Sequence, residues 1–353
     1  MRAPDLWFDV GAALTALAVR LAMPSPDWIE RYYSNGAYPL IDVLVRGVTQ
    51  RLPFCLGDVL FVGALAWFVR YSVVTLRRDR GKRRAACARL ALRAVAAGSV
   101  IFVWFMCAWA LNYGRVPLAV KIPVHSERTD EDSVAAFADG VIDRLSALSA
   151  PAHRSKEGDA DLVARLEPSF QATISRLGER SRFEPPRVKP TLFQTMLQLS
   201  ATTGFTDPWT HEVNLDAGAL RFERPAIYAH EWAHVAGFAD ESEANFVSVI
   251  ACTTSGDPLL VYSGWLLVWF NLPPGVRVTH RISATAYADI MAIRARFVRN
   301  ADPNVERATR VAYDRYLKSN RVKAGYASYR LFVRWMTGAD FDRNGLPLVR
   351  STG

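Results

Sequence analysis

The stretch His230-Glu231-Trp232-Ala233-His234-Val235-Ala236-Gly237-Phe238-Ala239-Asp240-Glu241-Ser242-Glu243-Ala244-Asn245 decides how the rest of the chain is read. It opens as H-E-x-x-H, turns at a glycine and ends in a cluster of acids. Residues four apart share a helix face, so His230 and His234 can point at one ion. Glu231 lies beside them, placed to take a proton from water at that ion. The motif alone is moderately specific, and the acids that follow strengthen it by offering a third ligand. The competing reading is a buried helix whose histidines are satisfied by hydrogen bonds. Two histidines at i and i+4, with a glutamate between and acids after a glycine turn, favour the metal site.

Local signals frame this helix. Pro225 suits a first helical position and Gly237 the position just past the end, which predicts a helix from Pro225 to about Ala236. A second helix starts near Asp240. Three acids then compete for the third ligand. Asp240 and Glu243 form a capping box, Asp-x-x-Glu, which gives both a structural task. Glu241 falls in the first turn, with Asn245 four residues on and able to brace a ligand histidine. The preference is therefore Glu241, with Glu243 and then Asp240 as alternatives.

Outward from the motif, the chain has 353 residues, enough for one large or two ordinary domains plus accessory segments. Its mean hydropathy of +0.04 is high for a soluble enzyme, and the apolar excess sits near the N-terminus. Three apolar segments stand out there, at about 6–23, 59–76 and 92–111. A helix needs about 20 apolar residues to cross the hydrocarbon core, somewhat fewer with snorkelling flanks. The first segment is short and carries Asp9 and Arg20. No small-x-small cleavage site follows Met23, so an uncleaved anchor is expected rather than a signal peptide.

The net charge of +9 would suit a nucleic-acid binder, but the basic residues flank apolar runs. The run Arg77 to Arg84, with Arg89 and Arg93 after it, reads as a short cytoplasmic loop. Residues 24–57 then form an outer loop. The chain from Asn112 onward, the metal motif included, lies outside the cytoplasm. No nucleic-acid partner is expected; the lipid bilayer is. The four cysteines, Cys55, Cys87, Cys107 and Cys252, contain no C-x-x-C, and neither a structural disulfide nor a thiolate zinc site is expected.

Residues 112–123 read as an extended juxtamembrane linker with Pro117 and Pro123. Asp130 to Leu148 is helical, with the stripe Val134, Phe137, Val141, Leu145 and Leu148 and a capping box at Thr129 and Asp132. A polar loop at 150–161 leads to a helix from Leu162 to Leu177 that Pro168 should break or kink. His125 and His153 read as surface residues. Trp209 to Leu215 is a candidate edge strand along the cleft, able to pair with an extended peptide. Leu259 to Leu272 reads as a buried helix, too short to span. Tyr262 at its start, or His280, could donate a hydrogen bond to a transition-state oxyanion. Helices follow over 281–298, 306–318 and 326–336. Tyr313, Tyr316, Tyr326, Tyr329, Phe332 and Trp335 read as core, and the tail from Gly338 as loose. Asp340, Asp342 and Asn344 lack the later ligands of a calcium loop.

With these residues in view, the chain resembles an uncharacterised family of bacterial membrane proteins defined by a domain of unknown function. Its members pair N-terminal spans with H-E-x-x-H-x-x-G and then E-x-E-A-N-F, here His230 to Phe246. Leu-Asn-Tyr-Gly-Arg-Val-Pro-Leu at 111–118, Gly-Phe-Thr-Asp-Pro-Trp-Thr-His-Glu-Val-Asn at 204–214, Tyr262-Ser263-Gly264, Tyr316-Leu317-Lys318 and Ser328-Tyr329 extend the resemblance over most of the chain. It departs at His211, where glycine is expected, so His211 is not read as a ligand. The run E-x-x-A-N is similar to the third-ligand helix of glutamate-type zinc peptidases, and this implies Glu241. The resemblance implies membrane anchoring, a zincin-like fold and zinc, but no substrate.

The expectation is a mostly α protein with a small β element. Residues 1–111 anchor it through three spans, and residues 112–353 form a zincin-like metallopeptidase domain outside the cytoplasm at a bacterial inner membrane. Zn2+ would be held by His230, His234 and Glu241, with Glu231 as general base, Tyr262 as a catalytic donor, and Glu243 and Asn245 as supporting or alternative residues. A peptide or protein is the expected substrate. The alternative is a non-catalytic, zinc-stabilised envelope sensor or scaffold.

Overall fold

The computed structural model describes residues 3–155, 158–178, 182–277 and 281–350. The fold is mostly helical. Helix α1 (Ala3–Leu21) is followed by a short turn (Pro26–Trp28), a π-helix (Ile29–Ala37) and helix α2 (Tyr38–Thr49). Helices α3 (Leu56–Arg78) and α4 (Arg83–Ala108) come next. Both are long and apolar enough to cross a membrane. A third span is present if the bent pair Phe8–Leu21 and Pro26–Thr49, which meet at 108°, counts as one.

The basic stretch is helical where a loop was expected. Only Asp79–Lys82 interrupts the helices, and α4 begins at Arg83, well before residue 92. Alanine and arginine are strong helix formers, and the charges find partners. Arg89 pairs with Asp79, and Arg93 lies 3.2 Å from the fully buried Asp9 of α1. α1 packs along α4.

The expected outer loop at 24–57 is also mostly helical. α2 has the reverse of a soluble helix's pattern. Asp42 and Arg46 are buried, whereas Leu40, Val43, Leu44 and Val48 are 59–71 % exposed. Likewise 112–123 is packed rather than strung out as a linker. A 3-10 turn (Ala110–Gly114) and a short helix (Leu118–Lys121) fold there, with Arg115 buried 2.8 Å from Glu30 and donating to the Gly237 carbonyl at 3.2 Å.

Helix α5 (Glu131–Arg154) is capped by Asp130, which accepts from Ser133 N at 2.7 Å; the Thr129 box is not used. It runs through Pro151 to Arg154, displacing the polar loop. Its stripe is buried at Val134, Val141 and Leu145, with Phe137 and Leu148 partly buried. Helix α6 (Asp159–Arg176) passes Pro168 unbroken, because Leu166, Phe170 and Ile174 on one face are buried in the core and hold it.

Strands β1 (Gly204–Thr206) and β2 (Val213–Leu215) pair antiparallel, Phe205 opposite Asn214. Val188 bridges to Val213 in parallel on the other side. β2 is therefore internal, and the open edge belongs to β1 rather than to residues 209–215. Helix α7 (Arg224–Val235) packs against β1 and against α8 (Glu241–Thr253). α8 is buried from Glu241 to Cys252, as expected for a central helix apolar nearly all round. α9 (Pro258–Asn271) covers it, and α10 (Ala284–Asn300), α11 (Pro303–Ser319) and α12 (Leu331–Gly338) complete the domain. From Ala339 to Arg350 the tail is pinned rather than loose. Arg176 binds Asp342 at 2.6 Å, and Arg350 N donates to Lys121 O at 2.8 Å. The four cysteines are free.

Candidate metal centre

The turn at the end of α7 builds the site. Gly237 has φ +96°, a left-handed conformation that glycine adopts without strain. Gly237 N donates to His234 O at 2.9 Å and Phe238 N to Ala233 O at 3.0 Å, the paired bonds of a Schellman ending. This turn brings the Phe238 carbonyl back to 2.8 Å from His234 Nδ1. Asp240 then caps α8 by accepting from Ser242 N at 2.8 Å, and the first turn of α8 presents Glu241 to both histidines.

On the other histidine, Nδ1 of His230 lies 2.9 Å from Asn245 Oδ1. Both Nδ1 atoms face oxygen acceptors, so each ring when neutral carries its proton there and offers Nε2 as an electron-pair donor. The two Nε2 atoms converge on Glu241 Oε2, at 3.2 Å from His230 and 3.5 Å from His234. Ligands about 2.05 Å from a tetrahedral zinc are separated by about 3.3 Å, so the two histidine–glutamate separations suit that ion. Glu241 Oε2 is buried and has no hydrogen-bond partner among the described residues. Such an orphaned oxygen is costly unless a cation completes it. His230, His234 and Glu241 thus fit a metal by distance, by tautomer and by the unmet oxygen.

Electrostatics agree. Burial would raise Glu241, but the two histidines outweigh it and hold the carboxyl far below its ordinary range. Burial would lower His234, but Glu241 raises it to about 9. The carboxylate and the two histidines thus attract one another across the site.

Glu231 sits in the adjoining wall. Thr206 Oγ1 of β1 donates to its Oε2 at 2.6 Å. A Cβ on Gly204 would fall 2.4 Å from its Oε1, so only glycine lets the strand approach this closely. Burial pushes Glu231 above the usual carboxylate range, although His230 and His234 partly oppose it. A cavity of about 750 Å³ opens over these groups, lined by His230, Glu231 and Glu241 and by Trp209, Tyr313 and Tyr329.

The structure brings together His230, Glu231, His234 and Glu241, with Asn245 behind them. Glu243 faces away. It does not close the capping box but accepts from Leu118 N at 2.7 Å, capping the short helix there. Burial and the neighbouring Asp240 push it up to about 7. Tyr262 is not among the residues lining the cavity; it is fully buried and donates to Asp289 at 2.6 Å. His280 lies outside the described residues. His211, at φ +53°, lies 2.9 Å from Asp42 through Nδ1, and its Nε2 lies 3.1 Å from the Ala108 carbonyl. It is a tie between helices, in a backbone conformation that favours the glycine expected there.

Tyr313, Tyr316, Tyr326 and Tyr329 line the cavity. They are not only core residues, and Tyr313 OH donates to Glu241 Oε1. Their sequence signal is an aromatic repeat on helices, which is the same for a core face and for a cavity wall.

A family model described as a protein of unknown function (DUF3810) matches residues 33–337, and the chain belongs to that family. No curated protein and no solved structure matches the chain.

Proposed function

We propose that this member of the family is a membrane-anchored, zinc-dependent hydrolase that cuts peptide bonds outside the cytoplasm. The observation that carries the reading is the convergence of His230 Nε2, His234 Nε2 and the buried Glu241 Oε2, which accepts no hydrogen bond among the described residues, with the Glu231 carboxylate beside them. Zinc held there supplies a Lewis acid that polarises a carbonyl and makes water easier to deprotonate.

The chain's own residues do the rest. Glu231 accepts a proton from the attacking water as its oxygen bonds to the carbonyl carbon, and delivers that proton to the nitrogen as the C–N bond breaks. Thr206 fixes its orientation. Tyr313 lines the cavity and donates its hydroxyl proton to Glu241, which helps to hold that carboxylate in place.

The open edge of β1 supports a peptide substrate. Asp207 N donates to Glu212 O and Asp216 N to Thr203 O, which turns the main-chain groups of Gly204 and Thr206 outward at the cleft. The sidedness rests on Arg77, Arg78, Arg80, Lys82, Arg83 and Arg84, which cluster where α3 meets α4. The candidate site adjoins the opposite ends of both helices.

The experiment is metal analysis and peptide-library cleavage with the full chain in detergent or nanodiscs. Wild type should hold one zinc and cleave; Glu231→Gln should keep the zinc and lose cleavage at least a hundredfold; His230→Ala should lose both. Zinc-free wild type, or a fully active Glu231→Gln, would refute the mechanism. Zinc retention without turnover in wild type would instead favour a zinc-stabilised sensor or scaffold.

A further inference from the structure

Resting on the reading above, we infer that the mouth of the cavity is immersed in the bilayer surface, so that the site takes a polypeptide tethered to the membrane rather than one free in solution.

Two loops of the domain reach down beside the spans. Asp58, in the first turn of α3, accepts from Leu192 N at 2.6 Å and from Thr191 at 3.1 Å. Phe193 then packs edge-on against Phe61, with ring centroids 5.6 Å apart. Phe61 lies five residues past the start of α3, about 7.5 Å along its axis. On the other span, Trp104 Nε1 donates to the Trp209 carbonyl at 3.1 Å, and the Phe105 ring lies 5.7 Å from that of Trp209. Trp104 stands four residues before the end of α4, about 6 Å. Both loops therefore sit below the ends of the helices that would cross the membrane.

Their outward side chains are apolar. Leu192 is 73 % exposed and Met196 50 %, with Phe205 and Trp209 close to 40 %. Such a cluster in water would be a liability; at a membrane interface it is favourable, and tryptophan is enriched there. The amphipathic helix α2 marks the same layer. It turns its charged face to the domain through Asp42 and Arg46 and its apolar face outward. The run Pro26–Thr49, which ends in α2, bends by 108° from Phe8–Leu21, and this suits a helix lying in the interface when α1 runs across it.

Met196, Phe205 and Trp209 also line the cavity that holds His230, Glu231 and Glu241. The immersed rim and the reactive wall are one surface. Phe205 lies on β1, so an extended segment laid along that edge would leave the site directly into the interface. A polypeptide with its anchor in the same leaflet arrives in register; a soluble peptide must first enter the lipid layer. The main-chain edge favours a polypeptide over a lipid.

The test uses the full chain in nanodiscs with Cys87 and Cys107 replaced by serine. Single cysteines at Leu192 and Met196, with Asp143 on α5 as control, carry an environment-sensitive fluorophore. Lipids bearing a nitroxide near the headgroup should quench the first two at least twofold and leave the third nearly unchanged. Quenching of Met196 only by aqueous iodide would overturn the immersed mouth. One peptide sequence is then offered to the Glu231→Gln variant, either anchored in the disc or free, at equal bulk concentration. Tenfold or greater preference for the anchored form is expected, reduced in Leu192→Asp/Met196→Asp. Equal binding of the two forms would overturn the tethered substrate. Release of headgroup or fatty acid from the disc lipids without peptide preference would make a lipid the occupant and also overturn it. Preferential binding that wild type does not convert to cleavage would sink the hydrolase alone and leave this inference in place.

Discussion

Asn245 Oδ1 lies 2.9 Å from Nδ1 of His230, fifteen residues away in sequence and on the next helix. The contact sets which nitrogen of His230 carries the proton, and the Asn245 amide is itself held by donating to the Tyr329 carbonyl at 3.2 Å. Asn245 therefore orients a histidine that would serve as a ligand in the proposed site.

Asn245→Ala should weaken zinc binding by about 10- to 100-fold, the usual effect of losing a residue that braces a ligand histidine. Competition with a chromophoric chelator measures this. Unchanged affinity would show that His230 needs no brace.

Glu241 and Glu243 should separate cleanly. Glu241→Ala removes the third ligand and should abolish stoichiometric zinc in the purified protein. Glu243→Ala should keep zinc but leave Leu118 N without its acceptor, at a cost of about 1–3 kcal/mol. Metal content and thermal unfolding read the two effects separately; loss of zinc in Glu243→Ala alone would reverse the assignment.

Gly204→Ala should fold and bind zinc yet lose at least tenfold in hydrolysis. The new Cβ would stand 2.4 Å from Glu231 Oε1, and the carboxylate end must move to relieve it. Full turnover in this variant would mean that the position of Glu231 is not critical.

Tyr313→Phe should lower activity and loosen the metal, since it removes a hydrogen bond to Glu241. Tyr262→Phe should leave turnover unchanged and reduce stability by about 1–3 kcal/mol, because Asp289 loses a buried donor. Rate and melting temperature, measured for both variants, distinguish them, and a turnover loss confined to Tyr262→Phe would restore the sequence-based assignment.

Acid should loosen the domain from α3. Burial would raise the Glu212 carboxyl, but Lys189 at 2.7 Å and the main-chain donors Leu56 and Gly57 lower it. A folded-state value below the unfolded one contributes stability that is fully present above the ordinary glutamate value of 4.5 and is lost as pH falls from there through the folded value. Melting temperature should therefore drop below pH 4.5, and Glu212→Gln should flatten that part of the profile. An identical acid limb in both proteins would exclude Glu212 as its source.

The sequence by itself determined the elements whose signals are local. H-E-x-x-H, Gly237 and Asp240 fixed two helices and the turn between them. Helical periodicity then put His230 and His234 on one face, and the capping role of Asp240 moved the ligand assignment to Glu241. Apolar length located α3 and α4. The rest depended on contacts between distant segments. Proline rules predicted a break or kink at Pro168, yet helix α6 continues through it, because its buried face outweighs one lost hydrogen bond. The capping box assigned Glu243 to its own helix, but Leu118, 125 residues upstream, claims its carboxylate. A tyrosine on a helix reads alike whether it faces a core or a cavity. Only the packing of α11 against the residues before α12 turned Tyr313 and Tyr329 toward Glu241, and only pairing with β2 made β1 the open edge beside Glu231. Side-chain surroundings are set by which surfaces meet, and no local pattern encodes that.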